Sequence, residues 1–245
     1  MSVAATRPAA VADELYAYRR AMNDVPIDAR ACALIIVDLQ NASCDPTCGW
    51  LPAYEAIGHG DVMSAYYERI QKIVLPNVRR LQQAFRAARA PVVFLTVGTM
   101  VGDLSDMPER FRRSERYWQS KGVTPPYARY GTREMAVIDA IAPRPGEAVI
   151  AKTGYSGFTG TPLERVLFNA SVRQVAMCGV ATEACVESTL RDGVDRGYDC
   201  MLVEDACASV TDESHRAGVR SMELFARIVD TATVEREIPV RSSSP

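Results

Sequence analysis

Histidine is almost absent from this chain: His59 and His215 are the only two in 245 residues. Cys44 and Cys48 form a CxxxC, but no second Cys/His pair stands at zinc spacing. A structural zinc site is therefore not expected, nor is any other metal or cofactor. Basic excess is lacking too. The 28 Lys and Arg are offset by 30 Asp and Glu, for a net charge of -2, which argues against a nucleic-acid partner. Long apolar runs are missing: no stretch approaches the ~18 residues a membrane span requires. The opening "MSVAATRPAAVADELYAYRR" has no continuous apolar segment of the kind a secretory signal carries. The expectation is a soluble, cytoplasmic protein with no membrane partner. The seven cysteines are odd in number in a chain that is not small, so no disulfide framework is expected. Cys32, Cys178 and Cys200 lie inside apolar runs and read as small packed hydrophobes.

What the chain does have is a 48% hydrophobic content, enough for one sizeable core. Residues 1–30 read as an Ala-rich extension with a short amphipathic helix in "VADELYAYRRAM". Residues 31–238 read as one α/β domain, and 239–245 as a disordered tail. Six apolar segments have the length and β-branched content of buried strands: 31–40, 90–97, 147–152, 173–180, 198–205 and 228–234. Helical patterns alternate with them. The spacing of Ile70, Ile73, Val74, Val78, Leu81 and Phe85 predicts a helix over 64–90. "REMAVIDAI", "TPLERVLFNA", 182–197 and 212–227 read as further helices, the second opening on Thr161 and Pro162 as N-cap and first-turn proline. Residues 42–64 read as loop, and 98–131 as a long charged connection without apolar period. This alternation predicts a three-layer α/β/α fold around a six-stranded, mainly parallel, Rossmann-like sheet. Ligands of such sheets sit beyond the carboxyl ends of the strands, near the point where strand order reverses.

Three reactive side chains fall at that edge. Asp38 ends the first strand, Lys152 ends the third, and Cys185 lies just past the fourth where a helix begins. A lone cysteine at such a turn is more often a packed small residue. A lone aspartate there is often a turn residue, and a lone lysine is usually solvated. Together they form coherent chemistry. A helix N-terminus and a lysine favour a thiolate. A carboxylate can take the thiol proton and later hand it to a leaving amine. Gly179 and the small residues after it permit a tight turn whose amides could bind an oxyanion.

"ALIIVDLQN", "AKTGYSGFTGTPLERVL" and "CGVATEACVESTLRDGVDRGYDCMLVEDACAS" resemble the three signature blocks of the isochorismatase-like cysteine hydrolases, across roughly residues 31–235. "CVESTLRDG" followed by "VEDA" is most similar to the ureidoacrylate amidohydrolases and their biuret hydrolase relatives. The resemblance implies an isochorismatase-type fold and a triad of Asp38, Lys152 and Cys185. It implies a cis peptide between Val180 and Ala181, aiming the amides of Ala181 and Cys185 at an oxyanion. It also implies a homodimer or homotetramer. Isochorismatases that cleave a vinyl ether generally lack the cysteine, and metal-dependent nicotinamidases carry an Asp-x-His…His motif that this chain does not have. Relatives often place an aromatic residue where Ser43 stands here, ahead of Cys44.

The resulting expectation is a cysteine amidohydrolase that cleaves a C–N bond of a small linear amide or ureido compound through a thioester, releasing ammonia. Vinyl-ether hydrolysis and a non-catalytic binding role are the alternatives. The first predicts activity that survives loss of Cys185. The second predicts a thiol no more reactive than the other cysteines. Tyr155 is a candidate substrate contact or a loop-packing ring. Asn41 could orient Asp38 or brace its loop. Trp118 and Arg116 could close the site from the 98–131 connection. Glu183 reads as helix N-terminal charge or a subunit contact, and Cys207 as structural.

Overall fold

The computed structural model describes residues 9–238, with side chains from residue 14 onward. In chain order, helix α1 (Ala9–Asn23) precedes β1 (Cys32–Val37), followed by α2 (Asn41–Cys44), α3 (Trp50–Ala56) and α4 (Gly60–Arg69). A π-type turn, Ile70–Val74, joins α4 to α5 (Leu75–Ala87) in one continuous helical run. Next come β2 (Val92–Val97), α6 (Glu109–Ser120), β3 (Ala148–Lys152), α7 (Leu163–Asn169) and β4 (Gln174–Val180). A second π-type turn, Thr182–Val186, leads into α8 (Glu187–Asp195). β5 (Asp199–Ala208), α9 (Asp212–Met222), β6 (Arg227–Val229) and α10 (Thr231–Glu237) complete the described chain.

The six strands form one sheet in the order β3-β2-β1-β4-β5-β6, and every pairing is parallel. All residues of β1 and β4 are buried, because helices cover both faces of the sheet centre. Successive strands step outward one way from β1 and the other way from β4. The reversal therefore lies between these two, the most deeply buried strands of the sheet. Gly179 makes their close approach possible: its φ is +121°, and a Cβ there would stand 2.0 Å from the Val37 carbonyl oxygen.

Several local expectations are corrected. The 42–64 stretch is not loop but holds α2, α3 and the start of α4. The helix expected over 64–90 starts earlier, at Gly60, and Ile73 leaves the core because the π-type turn shifts the phase of the apolar face. That turn ends two residues before Pro76, which has no N–H to give to the preceding turn. The 98–131 connection contains α6, anchored by buried Phe111 and Trp118 and otherwise charged. "REMAVIDAI" makes two separate 3₁₀ turns, Arg133–Met135 and Asp139–Ile141, rather than one helix. The sixth strand ends at Val229. Asp230 then accepts a hydrogen bond from the Thr233 N–H at 2.7 Å and starts α10, so the β-branched residues of "DTATV" run on as helix.

The N-terminal segment is tied down by Asn23, whose amide donates to the carbonyls of Glu223 at 3.0 Å and Ala226 at 3.3 Å. The expected tail, 239–245, lies outside the described residues. No described helix is long and apolar enough to cross a membrane.

Candidate active site

Asp38, Lys152 and Cys185 converge at the carboxyl edge of the sheet. Asp38 follows β1 directly, with its N–H bonded to the Leu95 carbonyl at 3.0 Å. Its φ of 53° turns the chain out of the strand, a left-handed conformation that aspartate tolerates better than most residues. Lys152 is the last residue of β3, which is separated from β1 by β2. Two strand spacings are roughly 10 Å, so the triad is not built from adjacent strands alone, and only a long side chain crosses this gap. The lysine lies across β2, and its Nζ donates to Asp38 Oδ2 at 2.8 Å, to Cys185 Sγ at 3.2 Å and to the Gly154 carbonyl at 2.9 Å. All three side chains are buried.

Cys185 sits inside the π-type turn that follows β4, one turn ahead of α8. The Val180–Ala181 peptide at the head of this turn is cis. The Ala181 carbonyl accepts from the N–H groups of Ala184 at 3.0 Å and Val186 at 3.3 Å, which ties the turn together. From behind, Gly218 of α9 packs on the backbone of Glu183, leaving a Cβ only 3.2 Å.

The Lys152 loop and the Cys185 helix are joined by Thr189. Its hydroxyl donates to the Cys185 carbonyl at 2.6 Å and accepts from the Gly157 N–H at 2.9 Å. Ser156 adds a hydrogen bond to Asp192 Oδ2 at 2.5 Å. On the far side of the turn, Thr182 Oγ1 lies 2.8 Å from His215 Nδ1, and Arg69 Nη2 lies 3.2 Å from His215 Nε2. A guanidinium can only donate, so Nε2 accepts and Nδ1 carries the proton offered to Thr182. Burial and the Arg69 charge lower the His215 pKa to about 4, which keeps the ring neutral.

Burial raises the Asp38 pKa despite the adjacent Lys152. It pulls the other way on Lys152, but the adjacent Asp38 carboxylate opposes it and the Lys152 pKa is raised. Burial also pushes the Cys185 thiol up, and the Asp38 carboxylate pushes it further, against the opposing pull of Lys152. The lowering pull expected from the lysine is thus present, but burial and Asp38 oppose it and favour the protonated sulfur. Asp38 Oδ1 is buried and makes no hydrogen bond among the described residues, so this carboxylate keeps acceptor capacity for a proton.

The triad opens on a cavity of about 770 Å³, lined by Asp38, Cys185, Val180 and Ala181 at the sheet edge. Trp118 and Tyr155 line it as expected; Asn41 does not. The Asn41 amide donates to the Arg133 carbonyl at 2.8 Å and braces the loop. Arg116 lies outside the lining and pairs with Glu109. Glu183 accepts a hydrogen bond from Ser209, and Cys207 is buried in the sheet. Sequence reasoning missed Gln40, whose amide clamps the Val97 backbone through bonds of 2.9 and 2.7 Å beneath the cavity. It also missed Trp50 and Tyr54, which stand on α3 where a loop was expected and present the aromatic surface that Ser43 cannot. Tyr127, Phe111, Arg110 and Arg113 also line the cavity and were not singled out. Among the described residues no cluster of three His, Cys, Asp or Glu is suited to a metal ion.

A family model of the isochorismatase domain matches residues 32–233. The ureidoacrylate amidohydrolase of Methylobacterium radiotolerans is 31% identical over 231 residues, covering 90% of this chain and 84% of that protein. Among solved structures, a cysteine hydrolase from Pseudomonas syringae pv. phaseolicola superposes with a TM-score of 0.69 at 28% identity, over 87% of this chain and 95% of that one. An N-carbamoylsarcosine amidase from Thermoplasma acidophilum superposes with a TM-score of 0.57 at 25% identity, over 82% and 96%.

Proposed function

The chain belongs to the isochorismatase family, and we propose that it is a cysteine amidohydrolase, hydrolysing a non-peptide carbon–nitrogen bond of an amide or ureido compound. The observation that carries this reading is the Lys152 ammonium within hydrogen-bond reach of both the Asp38 carboxylate and the Cys185 sulfur, two groups that line a cavity. Relatives named as ureidoacrylate amidohydrolase and N-carbamoylsarcosine amidase support the same bond class.

Burial and the Asp38 charge both favour the protonated sulfur, which points to attack coupled to proton transfer. As Cys185 Sγ attacks the carbonyl carbon, its proton passes to Asp38, so nucleophile and base act together. Lys152 stays cationic and offsets the charge that develops on sulfur and carboxylate. The backbone amides of Ala181 and Cys185, both at the cavity wall, hold the carbonyl oxygen as it becomes an oxyanion. Collapse breaks the C–N bond, and the nitrogen leaves as ammonia with the proton from Asp38. A water then gives its proton to Asp38 and attacks the thioester, releasing the acid and restoring the thiol.

Cys185→Ala tests the reading directly. Ammonia release from a panel of ureidoacrylate, N-carbamoyl amino acids and simple carboxamides should vanish while the circular dichroism spectrum is retained. Ammonia release that persists in this variant would overturn the thioester route.

A further inference from the structure

The cavity above the triad is far larger and more aromatic than a linear ureide requires. Six rings on its wall form an unbroken chain of contacts. Tyr155 lies 4.9 Å from Phe111, Phe111 5.5 Å from Tyr127, and Tyr127 5.4 Å from Trp50. Trp50 lies 6.5 Å from Tyr54, and Tyr54 5.3 Å from Trp118. These six come from separate parts of the chain: α3, α6, the connection before β3 and the loop after it. Aromatic residues are only 7% of the sequence, yet both of its tryptophans stand in this one wall.

Two cations, Arg110 and Arg113, line the outer part of the cavity, while the polar groups nearer the triad are committed. The Gln40 amide is spent on the Val97 backbone, and Lys152 on Asp38, Cys185 and Gly154. The volume of about 770 Å³ lies in the range that takes a drug-sized ligand. A ureido acid of about nine non-hydrogen atoms would leave most of the aromatic surface facing water, whereas offset or edge-to-face stacking on a ligand ring would cover it.

Resting on the amidohydrolase reading, we propose that the substrate is a carboxamide whose acyl group carries a fused or extended aromatic ring system. The ring lies against the wall from Trp118 to Tyr155, and its carboxamide carbon reaches Cys185. The products are ammonia and the corresponding aryl-bearing acid.

The test uses a series with one scissile group: acetamide, phenylacetamide and 1-naphthylacetamide, with ureidoacrylate beside them. In the wild-type protein kcat/KM should rise along the series, with 1-naphthylacetamide at least about tenfold above acetamide and ureidoacrylate. Tyr155→Ala and Trp118→Leu, at opposite ends of the wall, should each narrow that ratio through KM. Binding is measured separately in Cys185→Ala by calorimetry and by tryptophan emission, which reports from this wall alone. 1-Naphthylacetamide should saturate both signals and acetamide neither. Ammonia from acetamide or ureidoacrylate at rates equal to or above those for 1-naphthylacetamide overturns the substrate class and leaves the hydrolase reading standing. Saturable naphthylacetamide binding without ammonia from any compound supports the ring site and overturns hydrolysis. Absence of naphthylacetamide binding overturns the proposal whatever the turnover.

Discussion

Lys152 Nζ lies 2.8 Å from Asp38 Oδ2 although an entire strand, β2, separates the two backbones. With the 3.2 Å contact from the same Nζ to Cys185 Sγ, this pairing brings the edge strand β3 into chemistry centred on β1 and β4. It also neutralises a carboxylate that is fully buried. Lys152→Met should therefore harm the protein twice. Loss of the cation should lower kcat/KM on the order of 10²–10³-fold. Leaving Asp38 buried and unpaired should destabilise the fold by about 3–5 kcal/mol. Lys152→Arg should not restore activity, because a planar guanidinium cannot reproduce the three contacts of the ammonium. Urea unfolding and steady-state kinetics on both variants check this; a fully stable, active Lys152→Met would refute the role.

Removing the other partner should have an opposite effect on the thiol. The Asp38 carboxylate raises the Cys185 pKa and Lys152 lowers it, so Asp38→Asn leaves the lowering influence with less opposition. Iodoacetamide alkylation of Cys185 at pH 7 should become faster than in the wild type, since the thiolate fraction rises about tenfold per unit fall in pKa while its nucleophilicity falls by less. Turnover should nevertheless be lost, since no base remains. Peptide mass spectrometry separates Cys185 from Cys48, the one cysteine that is not buried. Slower alkylation in Asp38→Asn would contradict the electrostatic assignment.

How far the sequence discloses this site depends on which physical signal carries each part. The buried parallel strands are legible because continuous β-branched runs such as "LIIV" and "PVVFLTV" have few other stable uses. Asp38, Lys152 and Cys185 are legible because each ends or follows such a run. The aromatic wall is not. Phe111 and Trp118 are the two buried anchors of α6, too few to register as a helical period among its charges, and Trp50 and Tyr54 stand on a seven-residue helix. The register of Lys152 is hidden for another reason: strand order is a tertiary property, so a lysine two strands from its partner looks like one beside it. The start of α10 was open to reading, since Asp230 three residues before Thr233 is a helix-capping arrangement, but the β-branched composition of the segment masked it.

Gly179 offers a test of the sheet geometry that supports the triad. A methyl group at this position would meet the Val37 carbonyl oxygen at 2.0 Å, and the φ of +121° is strained for any L side chain. Gly179→Ala should therefore cost about 3 kcal/mol or more, by forcing β1 and β4 apart or rotating the peptide. Because Asp38 and Cys185 follow these two strands, the folded fraction should also lose activity. Guanidinium unfolding and an active-site titration distinguish the two effects. Unchanged stability would mean that the strands do not approach as closely as described.

The buried His215 predicts an acid-side loss of stability. Its pKa falls from 6.5 to about 4 on folding, through burial first and the Arg69 charge second. Between these values the unfolded chain binds a proton that the folded chain refuses, so folding stability rises with pH across this window. The contribution is fully present above pH 6.5 and is lost progressively as the pH drops towards 4. Protonation would place a cation against Arg69 and take from Nε2 the lone pair that accepts the Arg69 hydrogen bond, while Nδ1 continues to donate to Thr182. Because Thr182 opens the Cys185 turn, opening of the packing behind that turn should accompany the loss. His215→Gln keeps a polar side chain without the titration. Urea unfolding at pH 7.5, 6, 5 and 4.5 should show a steeper decline for the wild type than for His215→Gln. Parallel declines would assign the acid sensitivity to carboxylates elsewhere and remove His215 from it.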